Sequence, residues 1–172
     1  MQSHDSKHTD PAPVHSAKAA TMSHDMGGGG YRRFAAMLFL SFIAMYVLMY
    51  AMVDRLGNAI PNLNQFYMAG LMTAPMAILE ILLMGRMYPD KRKNTIVLAL
   101  GVVALLACWF SIREQAAVGD RQFLKSMIPH HAGAILMCDQ ATLTDAEVKA
   151  LCTGIVKAQE EEIATMKALL AR

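Results

Sequence analysis

The sequence predicts an all-α protein: three transmembrane helices followed by a C-terminal helical hairpin that makes half of a four-helix bundle. Three observations carry this. Hydrophobic residues make up 55% of the 172-residue chain and charged residues 17%, a balance too apolar for an ordinary soluble domain. Three apolar runs of about 18–22 residues fill the middle of the chain, near the ~20 that a helix needs to cross a ~30 Å hydrocarbon core. The last third turns polar, with apolar residues at helical spacing. The net charge of +2 gives no strong pull toward nucleic acid. No phosphate loop or nucleophile–base pair is visible, so a binding protein is expected and not an enzyme.

Residues 1–33 read as a disordered polar tail, with His4, His8, His15, His24, Met22 and Met26 and too little apolar surface to fold alone. Such a His/Met segment either captures copper weakly or is an ordinary tail. The spans are expected at residues 34–53, 66–87 and 95–112, within a membrane domain of residues 34–112. Backbone groups in lipid must satisfy one another, so each span is a helix. The first loop, Asp54–Gln65, holds the breakers Gly57 and Pro61. The second loop is short and basic, with Arg86, Lys91, Arg92 and Lys93. It lies on the same side as Arg32 and Arg33, so the positive-inside rule places the tail in the cytoplasm. Residues 113–172 then fall outside, in the periplasm if the membrane is a bacterial inner membrane.

The chain has 15 Met. Met45, Met49 and Met52 share a face of the first span, and Met68, Met72 and Met76 a face of the second. Helix packing with flexible side chains is favoured over a soft-metal path for these rows. Glu80 sits well inside the second span and needs a partner or a proton.

Residues 113–172 read as the hairpin. The chain breaks at Gly119, Asp120 caps a helix running to about Ala141, and Pro129 should kink it. Thr142-Leu143-Thr144 forms the turn, and Thr144 with Glu147 makes a capping box. Val148, Leu151, Ile155, Ile163, Met166 and Leu170 mark the apolar stripe of the second helix. Two helices give a narrow core, so a homodimer forming a four-helix bundle is expected.

The informative segment is Phe123–Cys138. Met127, His130 and His131 gather within one turn, Ala134 leaves room, and Met137 and Cys138 follow. Thioether, imidazole and thiol together favour Cu(I), or its mimic Ag(I), over hard ions. With the turn centred near Leu143, residues whose numbers sum to roughly 286 lie side by side. That register sets Met127 opposite Gln159, makes Gln159 and Glu162 candidates to orient the histidines, and leaves Met166 ~10 Å further along. In this register Cys138 and Cys152 are offset by several residues, so a disulfide between them is possible in an oxidising compartment but not favoured.

Phe123, Met127, Ile128, His130-His131, Ala134 and Met137, then Val148, Leu151, Ile155, Gln159, Glu162-Ile163, Met166 and Leu169, resemble the family called domain of unknown function 305, over residues 120–172. The resemblance implies a ferritin-like helical fold. Some members are secreted or periplasmic copper binders linked to copper resistance, which implies metal roles for Met127, His130, His131, Met137 and Met166. The leading expectation is a membrane-anchored copper(I)-binding protein for buffering, resistance or delivery, with a copper-handling protein as partner. The alternative is an interaction module that docks a partner through the hairpin without metal. A di-metal oxidase fits poorly, because Glu160, Glu161 and Glu162 have no His three residues on.

Overall fold

In the computed structural model, which describes residues 26–172, every regular element is helical. Helix α1 spans Met26–Leu48, α2 Leu63–Met84, α3 Lys91–Arg113, α4 Asp120–Gln140 and α5 Ala146–Leu170. The four tail histidines and Met22 lie outside the described residues.

Three helical segments are long and apolar enough to cross a bilayer: Gly29–Met52, Leu63–Met87 and Lys91–Arg113. The first two end in single 3-10 turns, Met49–Met52 and Gly85–Met87. α1 starts at Met26, so residues 26–33 are helical and not part of a disordered tail. Tyr31 explains this. Its hydroxyl donates to Asn94 Oδ1 at 2.8 Å and its ring lies 5.2 Å from that of Tyr88, which anchors the first turns. α3 starts at Lys91, before its apolar run, because Asp90 caps it by accepting from the Lys93 N–H.

α2 lies between α1 and α3. Small residues set this packing: Ala69, Ala74 and Ala77 are buried. A Cβ on Gly101 would come within 2.8 Å of Ile78 Cγ1, so only glycine permits this approach. At one end, Phe34, Ala77, Ile81 and Tyr88 close the bundle. Tyr88 donates to Glu80 Oε1 at 3.1 Å, which gives the carboxyl its expected partner. Arg32, Arg33, Arg86, Lys91, Arg92 and Lys93 belong to this end.

The other end carries the hairpin. Between α3 and α4, Gln115 and Ala117 adopt left-handed backbone with φ of 50° and 57°, which costs about 1 kcal/mol each. α2 holds them there: Tyr67 donates to the Ala116 carbonyl at 2.9 Å, and Asn64 donates to Gln115 Oε1 at 3.0 Å. The chain therefore leaves the α3 axis and lays α4 over the loop between α1 and α2. Gly119 is the cap residue of α4 and makes no side-chain bond, so Asp120 is the first helical residue and not the cap. Its carboxylate still suits the positive end of the helix. The helix continues through Pro129 without a break, because the flanking Ile128 and Ala132 are fully buried and hold the turn.

α5 is capped by Asp145, which accepts from the N–H groups of Glu147 (2.8 Å) and Val148 (3.0 Å). The expected Thr144 box is therefore displaced by one residue. The turn, residues 141–145, starts and ends in extended backbone and is longer than the three residues expected. The two helices are also staggered along their axes: partners on α5 lie one to two turns further along than the expected pairing. Cys138 and Cys152 are consequently adjacent, with Cα atoms 5.4 Å apart, and form a disulfide, against the sequence expectation.

Ile128, Ala132, Ile135, Ile163 and Met166 form the hairpin core, and Val53 and Ile60 of the membrane-domain loop pack against it. The narrow core thus gains a third side from its own chain. Polar ties reinforce the seat. Lys167 donates to the buried Asn58 at 2.6 Å, and Ser126 donates to Asn62 at 3.3 Å. Burial works against ionisation of Asp54 here, but hydrogen bonds from Arg55 and Asn58 hold its carboxyl below the usual carboxylate range.

Candidate metal centre

Adjacent residues on a helix point about 100° apart, so His130 and His131 cannot share one face. The structure separates them, with ring centroids 6.0 Å apart. His131 turns into the hairpin and is 8% exposed, while His130 turns outward and is exposed.

His131 Nε2 lies 2.6 Å from Glu162 Oε2. A carboxylate only accepts, so Nε2–H donates, and in the neutral imidazole the lone pair falls on Nδ1. His131 Nδ1 is buried and has no hydrogen-bond partner among the described residues. Buried nitrogens are rarely left in this state. A carboxylate that fixes one imidazole nitrogen while the other keeps a free lone pair is the usual arrangement of a metal-binding histidine. Here the shifted register brings Glu162 to the imidazole, two turns beyond the residue expected opposite it.

The same shift brings Met166 back to Met127. Both line a cleft of about 530 Å³ together with His131, Glu162 and Phe123. Met166 is 8% exposed and belongs to the core, so its thioether is a fixed donor at the cleft wall. The expected ~10 Å axial gap between the two methionines closes because α5 is staggered against α4.

The remaining sequence candidates fall elsewhere. Cys138 is tied up in the disulfide, so it offers no thiolate ligand while that bond is intact. Gln159 is half-buried and makes no hydrogen bond to either histidine. Met137 is 56% exposed and lies with His130 on the other side of α4. That side faces Met49, Met52 and Met68 across a groove of about 440 Å³. Met52 and Met68 are 53% and 39% exposed, and none of the three joins a core cluster. Their spacing in the spans signalled a shared face, but only the seat of α4 shows what that face meets. Among the described residues no three His, Cys, Asp or Glu side chains converge as a metal cluster.

A family described as domain of unknown function (DUF305) matches residues 111–170. An uncharacterized protein of Acanthamoeba polyphaga mimivirus is 31% identical over 137 residues, covering 78% of this chain and 88% of its own length. That likeness is longer than the family segment and so reaches into the membrane helices. No solved structure matches the chain.

Proposed function

The chain belongs to the domain of unknown function 305 family, and from that premise we propose that it is a membrane-anchored copper(I)-binding protein whose hairpin buffers or passes copper outside the cytoplasm. One observation carries the reading: His131, bonded through Nε2 to Glu162 and with its buried Nδ1 unpartnered among the described residues, lines one cleft with Met127 and Met166. One imidazole and two thioethers, with no thiolate, suit a monovalent soft cation and suit zinc, calcium or magnesium poorly. His131, Met127 and Met166 would hold the ion, and Glu162 would keep the imidazole in the tautomer that can bind it.

Two further features support a position outside the cytoplasm. The basic residues sit at the end opposite the hairpin. The Cys138–Cys152 disulfide belongs to an oxidising compartment, such as the periplasm of a bacterial cell. Pairing of two hairpins into a four-helix bundle belongs to the same reading, with Phe123 and Leu151 still exposed at 51% and 63% for a second copy. A copper-handling protein that supplies or accepts the ion would dock from the same side.

The test is a Cu(I) titration of the detergent-purified full chain against a competing chelator. His131→Ala should remove the equivalent held with Met127 and Met166. Glu162→Gln should weaken that equivalent by about 10–100-fold. Unchanged stoichiometry and affinity in His131→Ala would overturn the proposal and leave the hairpin as a protein-docking module.

A further inference from the structure

We infer that the groove between α4 and the outer ends of α1 and α2 is a second soft-cation site, built jointly by the hairpin and the membrane domain. Its donors are His130, Met127 and Met137 from α4, with Met49, Met52 and Met68 from the spans. The inference rests on the copper reading for the identity of the ion; the site itself rests on different residues.

Four observations converge. First, the groove concentrates five thioethers around one exposed imidazole, a donor set that suits Cu(I) or Ag(I). Second, no carboxylate, ammonium or guanidinium lines it among the described residues. A hard divalent ion would find no charge to balance it, whereas a monovalent soft ion needs none.

Third, the walls are held in place. A Cβ on Gly133 would lie 3.3 Å from the Met52 carbonyl, so α4 approaches the end of α1 backbone to backbone. Ser126 and Gln122 bond to Asn62 and to the Leu63 N–H at the start of α2. The left-handed linker at Gln115 and Ala117 fixes the same approach. Fourth, the thioethers are open. Met52, Met68 and Met137 are 53%, 39% and 56% exposed, which is not the state of side chains recruited to fill a core.

Met127 lines both this groove and the cleft of His131 and Met166. The two sites therefore share a wall and one flexible thioether. An ion can change sites by exchanging its other donors while Met127 stays bound, which gives a route between the hairpin interior and the membrane surface.

The experiment uses the full chain in detergent micelles with methionine methyl groups labelled with carbon-13, titrated with Ag(I) alone. Silver needs no reductant, so the disulfide stays intact. Two equivalents should bind. One should move the methyl signals of Met127 and Met166, the other those of Met49, Met52, Met68 and Met137. The Met49→Leu/Met52→Leu/Met68→Leu variant nearly conserves side-chain volume. It should lose one equivalent and keep the Met166 response, which also shows that the hairpin is folded. If that variant keeps both equivalents, or if only Met127 and Met166 move in the unsubstituted chain, the second site is overturned and the hairpin site stands. If no methyl signal moves, both are overturned.

Discussion

The two halves of this chain are both bundles of long helices, yet they pack by opposite rules. In the membrane domain, α2 meets its neighbours through Ala69, Ala74, Ala77, Gly70 and Gly101, while large apolar side chains such as Leu83 and Leu100 face outward at 80% and 62% exposure. In the hairpin, the large side chains Ile128, Ile135, Ile163 and Met166 are inside. Lipid tails are as apolar as leucine, so burial gives span helices no driving force and close contact through small residues takes its place. Water supplies that force to the hairpin at roughly 25 cal/mol per Å² of apolar surface. The difference explains where ligands can sit. The cleft of about 520 Å³ between the three spans has no sulfur or imidazole donor in its lining, whereas the two-helix aliphatic core leaves open flanks that carry them, and both candidate sites lie on those flanks.

The largest effect should come from cutting the aliphatic core. Ile128 is 0% exposed, and Ile128→Ala should cost the hairpin about 4 kcal/mol by removing buried methyl groups and leaving a cavity. Urea unfolding followed by circular dichroism should show the hairpin transition falling while span helicity persists. Joint loss of both would mean the halves fold as one unit and would erase the contrast. The next effect lies across the divide. Gly101→Val drives a side chain into Ile78, which stands 2.8 Å from the position of a Cβ, and overpacking of this kind costs about 2 kcal/mol. Thermal unfolding in detergent should shift for the membrane domain, with the Cys138–Cys152 bond still forming. An unshifted transition would mean that close approach at Gly101 contributes nothing to span packing.

The sequence disclosed the elements better than their register. Spans were legible because lipid imposes a length and a composition that leave few alternatives. The hairpin was legible because its apolar positions recur at helical spacing. The pairing of α4 with α5 was not, since it depends on a turn whose extended residues 141–145 leave no periodic signal. From that one displacement follow the disulfide, the meeting of Met127 with Met166 and the bond from His131 to Glu162. Glu162 was placed near the histidines by the expected hairpin register, but not paired to a particular ring. The groove was half legible. The methionine rows stand out in the spans, but the seat of α4 on Asn58 and Asn62 depends on hydrogen bonds between residues far apart in sequence.

The smallest effect tests the displaced turn itself. Asp145 caps α5: its carboxylate satisfies the N–H groups of Glu147 and Val148, and Thr144 lies outside the helix. Asp145→Ala should then cost about 1 kcal/mol, the usual loss for an N-cap acceptor. Thr144→Ala should stay within about 0.5 kcal/mol, as for a surface residue without a partner. The two values come from the same unfolding measurement used for Ile128→Ala. The opposite ranking would place the cap at Thr144 and lengthen α5 by one residue at its start, with the face that carries Glu162, Ile163 and Met166 unchanged because their packing sets it. The order of two small numbers therefore decides where the turn ends and α5 begins.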